Sequence, residues 1–197
     1  MSNHLAIATV TAALSRQLQA AANAGVNGAT VRVGRPDATV GTDGKPLINL
    51  YLYQVKRNAA LNNLGLPTRR GDTTLAARPQ VALDLHYVAS YYGNAAAFEP
   101  ERMLGAVARD LEATPLLSKG AVTQAIQANQ AVLGASDLGK APEPVRITPE
   151  VMHLDDLSKL WSVFFQVPYA LSAAYVCSYV IIESDDRPQP PLPVGRP

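Results

Sequence analysis

The chain has 197 residues, 48% of them hydrophobic and 17% charged, with a formal net charge of +1. That length holds one large domain, or one domain with a short appendage, and its charge is sparser than the roughly 25% of an average soluble domain. Binding to nucleic acid needs clustered Lys and Arg to displace counterions from phosphate; the densest basic run here is Arg69-Arg70, with Arg78 further on, which argues against a nucleic-acid partner.

Ile7, Val10, Leu14, Leu18 and Ala21 recur at helical spacing. Ser2 or Asn3 supplies an N-terminal cap for this first helix and Gly25 a stop. No basic segment precedes the Ala-rich stretch, so it does not read as a signal peptide. Thr30 to Arg35 reads as a short strand halted by Pro36, and residues 41–46 have the composition of a turn. Leu47 to Val55 is a strand with two distinct faces. Ile48, Leu50 and Leu52 share one; Asn49, Tyr51 and Tyr53 share the other, and the tyrosine pair suits an interface or a covering helix. Asn58 to Leu64 has room for one or two helical turns. Gly65 to Pro79 has no period and reads as a long exposed loop carrying Arg69, Arg70 and Arg78; such loops are usually functional or mobile.

Val81 to Tyr92 is the clearest strand. Val81, Leu83, Leu85, Tyr87, Ala89 and Tyr91 alternate with Asp84, His86, Val88 and Ser90. Pro100 begins a helix with Glu99 and Glu101 at its positive end. Met103, Val107 and Leu111 form its apolar stripe, and Thr114-Pro115 stops it. Ser118 caps a helix from Lys119 to Leu133; residues 134–144 form a loop, and Val145 to Thr148 a short strand. Leu154, Leu157, Leu160, Trp161 and Phe164 mark another helix, with Asp155 and Asp156 in its first turn. Leu171 to Ile182 is apolar on both faces, as a central strand would be. The apolar run from Val167 is broken by Pro168 and polar residues, short of the roughly 20 residues of a membrane span, so no membrane partner is expected. The single cysteine, Cys177, lies here; it reads as a buried, inert thiol in a reducing compartment.

After Glu183 the character changes. Asp185, Asp186 and Arg187 are charged, and five of the last ten residues are proline, with Leu192 among them. This arm is expected to be extended, polyproline-like and ordered only when bound. The fold class that follows is α/β of the α+β type: a mixed, largely antiparallel sheet with helices packed on it, spanning residues 1–183, plus an extended arm at 184–197. Hairpin-length links between the early strands favour antiparallel pairing over a doubly wound sheet.

A search for chemistry finds little. The Gly-x-Ser-x-Gly elbow, the P-loop and Gly-x-Gly-x-x-Gly are all absent. His86 and Asp84, two apart on one strand, face the same side. They form either an acid–base or metal pair or a hydrogen-bonded structural pair, and two ligands fall short of the three usual for catalytic zinc. His153, just before Asp155 and Asp156, reads as part of a helix N-terminus. Trp161, Phe164 and Phe165 read as core rather than as a stacking site. Arg69 and Arg70 either grip an acidic partner or sit in a solvated loop. No cofactor, metal or catalytic residue is assigned.

Several segments taken in order resemble one family. They are His4 to Val10, Ile48 to Val55 followed by Asn58, Leu64 to Arg70 ahead of Arg78-Pro79, Val81 to Tyr87, Glu101 to Gly105, and Leu154 to Trp161 leading into Tyr169-Ala170-Leu171-Ser172. The set is similar to the core domain of cap, or tail-terminator, proteins of phage-tail-like contractile injection systems. The resemblance implies a non-enzymatic structural subunit with a fold like phage tail terminators. It implies a homo-hexameric ring at the distal end of a particle, contacting sheath protein and inner tube protein or a tube-end adaptor. Such a subunit is made and assembled in the cytoplasm, and the particle can leave the cell. Candidate subunit or partner contacts are Tyr51, Tyr53, Arg69, Arg70, Arg78, Asp185, Asp186, Arg187 and Leu192. Proline removes backbone donors, so groove docking suits the arm better than strand addition beyond Asp186. A tube-end adaptor or baseplate component, a small hydrolase built on Asp84 and His86, and a binding module for an acidic partner remain the alternatives.

Overall fold

In the computed structural model, residues 2–61, 63, 68–70, 74–164, 166–186 and 188 are described. Helix α1 (Ala6–Gly25) buries Val10, Leu14 and Leu18 completely. Each such side chain stabilises the fold by about 1.5–3 kcal/mol. The cap expected at Ser2 or Asn3 is displaced. Leu5 holds the cap position without a side-chain bond, and Asn3 Oδ1 accepts from the Leu5 N–H at 3.1 Å, ahead of the helix rather than from its first turn. Ser2 instead forms a parallel bridge to Ile182. Gly25 ends α1 as expected, for a tertiary reason: a Cβ there would lie 2.8 Å from the Arg102 carbonyl oxygen. Arg102 in turn donates from Nη2 to the Gly25 carbonyl at 3.0 Å, satisfying an orphan acceptor at the helix end.

Among the described residues five strands form one sheet: β1 (Thr30–Val33), β2 (Leu47–Arg57), β3 (Gln80–Tyr92), β4 (Arg146–Glu150) and β5 (Leu171–Glu183), in the order β1-β2-β3-β5-β4. Every pairing is antiparallel except β1 with β2. The mixed, largely antiparallel sheet is therefore as read, but the hairpin expected between the first two strands is not there. Residues 34–46 travel back the length of β1 so that β2 starts beside Thr30. Gly41 makes this route possible: its φ is +73°, and a Cβ would lie 2.3 Å from Tyr92 Cδ1. Within the same loop the Arg32 guanidinium, then Thr39, hold the Asp37 carboxyl well below the usual carboxylate range. The outer edge of β1 is sealed by a helix side chain. Gln19 of α1 accepts from the Val31 N–H at 2.8 Å and donates to the Ala29 carbonyl at 2.6 Å, occupying groups that would otherwise template another strand.

One face of the sheet carries the main core. Ile48, Leu50, Leu85, Tyr87, Ala89, Tyr91, Tyr175 and Cys177 are buried there with α1 and with Met103, Val107 and Leu111 of α2 (Glu99–Ala113). Ser118 caps α3 (Lys119–Ala128), accepting from the Ala121 N–H at 3.1 Å. The helix expected to run to Leu133 breaks at Asn129 and resumes as the short α4 (Gln130–Leu133). There the Asn129 side chain bonds back to the Ala125 carbonyl at 2.9 Å, competing with the helix ladder. The other face is covered by α5 (Leu154–Ser162) and the turn after it, where Trp161 and Phe164 are buried edge-to-face with centroids 5.6 Å apart. Strand β4 runs two residues beyond the expected Thr148. Pro149 is tolerated because β4 is an edge and one side needs no donor.

Candidate subunit and partner interface

Tyr51 and Tyr53 lie under a covering element of their own chain. Tyr51 meets Phe164 edge-on, with centroids 5.5 Å apart. A bulge in β2 between Leu52 and Gln54 makes Tyr53 the extra residue, which re-aims its side chain. The Tyr53 hydroxyl donates to Glu150 Oε2 at 2.9 Å, and its ring stands edge-on to His86 at 6.0 Å. Burial, reinforced by the Glu150 carboxylate, pushes the Tyr53 phenol upward.

His86 is buried, but its partner is not Asp84. His86 Nδ1 lies 2.9 and 3.0 Å from the two oxygens of Glu150, while Asp84 accepts from Asn58 Nδ2 at 2.9 Å. The Asp84–His86 pairing expected from spacing is thus replaced by a three-strand cluster of Tyr53 (β2), His86 (β3) and Glu150 (β4). Glu150 reaches over β5 because its direct neighbour there is the small Ala174. Sequence reasoning had no signal for this contact: 64 residues separate the partners. Among the described residues no three His, Cys, Asp or Glu side chains converge as metal ligands would. Cys177 is buried, and burial pushes its thiol up to about 12.

The loop after β2 and the start of the arm meet at the opposite end of the sheet. Arg69 pairs in an antiparallel bridge with Leu75 and is exposed. Arg70 turns back on the same segment, its Nη1 reaching the Thr74 hydroxyl at 3.3 Å and the Leu75 carbonyl at 3.2 Å. Arg78 lies 3.5 Å from Glu183, and the Ser184 N–H donates to the Pro79 carbonyl at 2.9 Å, so the end of β5 is tied to the end of the loop. Asp185 and Asp186 are exposed beyond this tie. Arg187, Leu192 and Phe165, together with 64–67 and 71–73 of the loop, lie outside the described residues.

A second surface was missed. Leu154 was read as part of the α5 core stripe, yet it is 78% exposed, and Val151 just before it is 89% exposed. The stripe is real, but only its C-terminal half reaches the sheet. Its N-terminal half overhangs an open groove of about 380 Å³ between α2 and α5, floored by β5 residues 172–175. Val163 and Tyr169 are also exposed near the other end of α5. The sequence carried no signal for this, because the apolar period of α5 is the same whether or not the sheet lies beneath it.

The sequence profile of the Pvc16 N-terminal domain family matches residues 9–196. The chain belongs to this family. No curated protein matches it in sequence. Among solved structures it is similar to the PVC sheath/tube terminator of an extracellular contractile injection system in its extended state, at 14% identity and a TM-score of 0.59, over 94% of this chain and 61% of that one. It is also similar to the tube-terminating cap of the anti-feeding prophage, at 17% identity and a TM-score of 0.57, over 93% of this chain and 58% of that one. The chain thus spans about three-fifths of the length of the structures it matches, and at these identities the likeness establishes the fold: a terminator-type mixed sheet with helices. No helix of the described residues is long and apolar enough to cross a membrane.

Proposed function

We propose that this chain is a structural subunit that caps the distal end of a contractile injection particle. The observation that carries the reading is the family match across residues 9–196. The terminator-like fold over 94% of the chain supports it. In this reading six copies form a ring that ends the inner tube and the surrounding sheath and stabilises the extended particle. The ring interface is heterologous, one surface of each copy meeting a different surface of the next. Of the contacts expected from sequence, Arg69, Asp185 and Asp186 are the exposed candidates among the described residues; Tyr51, Tyr53 and Arg70 mainly brace the chain itself. The subunit acts by binding and is not an enzyme.

Deleting the gene and imaging the particles by electron microscopy tests the reading. The expected result is sheath–tube particles of uncontrolled length, or none, with rescue by the full chain and not by residues 1–183. Particles of normal length and contraction would overturn it.

A further inference from the structure

An open, largely apolar groove lies between α2 and α5. Leu104, Ala108 and Leu111 of α2 form one wall and Leu157 of α5 the other, over Ala173 and Tyr175. Strand β4 pairs with β5 only from Ala174 onward, so among the described residues no strand occupies the outer edge of Leu171–Ala173. The link from β4 to α5 leaves at this end, its Met152 lining the groove, so an incoming strand would lie beside that link and set apolar side chains into the groove. Two carboxylates line the groove, Glu112 and Glu150, the second already bonded to His86 and Tyr53, and Asp155 stands exposed at the start of α5.

The arm carries matching chemistry. Residues 191–196 read Pro-Leu-Pro-Val-Gly-Arg. Leu192, Val194 and Arg196 keep their backbone donors, and the intervening Pro191 and Pro193 lack theirs. In a strand, alternate residues turn their N–H to the same side, so 192, 194 and 196 can face a sheet edge while both prolines face away, as edge strands allow. The objection that proline forbids strand addition holds up to Pro190 and lapses at Leu192. Leu192 and Val194 supply the apolar side chains, and Arg196 the charge opposite to the acidic rim.

Reach decides whose groove is filled. From Ser184 to Leu192 the arm extends at most ~30 Å, at ~3.3–3.6 Å per residue. The same length of strand separates Glu183 from Ala174 of its own groove, before any residue is given to reversing direction. We infer that residues 191–196 of one copy dock in the α2–α5 groove of a neighbouring copy, linking subunits head to tail. The inference rests on the ring reading in needing a second copy, and the two parts of the test separate them.

A fluorescent peptide of residues 187–197 is titrated into the full chain carrying Leu192→Asp and Val194→Asp, whose own arm cannot compete. Saturable binding is expected. It should weaken at least tenfold when Leu157→Asp or Ala108→Trp is added, and stay unchanged with Val33→Asp at the opposite sheet edge. Ala108 is exposed on α2, so the second groove variant keeps the test valid if the first fails to fold. Absent binding, or binding indifferent to both groove variants, would overturn the groove assignment while leaving the ring reading standing. Sedimentation of the wild-type chain above the peptide's dissociation constant should then show assemblies that the arm variant lacks. A wild-type monomer under those conditions would return the arm to its own chain and overturn the proposal.

Discussion

The two faces of the sheet differ in how completely they are covered. Three helices close one face, and α1 alone contributes Val10, Leu14 and Leu18 with no exposed surface. One short helix covers the other; Trp161 is its single buried residue, and Phe164 follows in the next turn. The first face is a finished core. The second is held by a polar cluster, Tyr53–Glu150–His86, and leaves Val151, Leu154, Val163 and Tyr169 in water.

Substitutions can break that contrast. Leu18→Ala should destabilise by about 2–5 kcal/mol, whereas Leu154→Ala should stay within about 0.5 kcal/mol; urea unfolding of the two variants compares the faces directly. Gly25→Val at the α1–α2 crossing should cost about 1–3 kcal/mol through overpacking, read as a lower thermal midpoint. On the sparse face, His86→Ala removes a hydrogen-bond partner from Glu150 and should cost about 1–3 kcal/mol. Tyr53→Phe, which leaves the His86–Glu150 bond intact, should cost about 0.5–1.5 kcal/mol. If both prove neutral by denaturation, the cluster does not hold this face.

The finished core should also carry the chain's alkaline sensitivity. Burial raises the Cys177 thiol from 9 to about 12 and pushes the Tyr87 and Tyr91 phenols upward. These groups keep their protons in the folded state after the unfolded chain has begun to lose them. Stability is therefore full below about pH 9 and declines as pH rises toward 12. Urea midpoints at pH 8 and pH 10.5 measure the decline, and Cys177→Ala should make it shallower. The smallest expected effect is Leu154→Ser: an unchanged melting curve, with any consequence confined to association between copies.

Local pattern carried much of the fold. Met103, Val107 and Leu111, four apart, could only mark one helical stripe, and the alternation from Val81 to Tyr92 could only be a strand. Ser118 followed by Ala121 made a cap legible, because the bond it forms spans three residues. Some misreadings are local, such as the helix break at Asn129, whose side chain bonds back to Ala125; the others concern partners distant in sequence. The link between β1 and β2 looked like a hairpin because its turn residues fit one, and the parallel register of Thr30 with Leu47 shows the chain doubling back. Asp84 looked like the partner of His86 because it is near in sequence, whereas Glu150 arrives from another strand.

What the sequence determined by itself was therefore the elements, their order and the absence of familiar catalytic motifs, since each rests on periods and caps within a few residues. The tertiary structure decided which strands run parallel, which side chain satisfies His86, and that the N-terminal end of the α5 stripe stays exposed. Those outcomes depend on sheet order and on the size of a facing residue such as Ala174, which local periodicity does not encode.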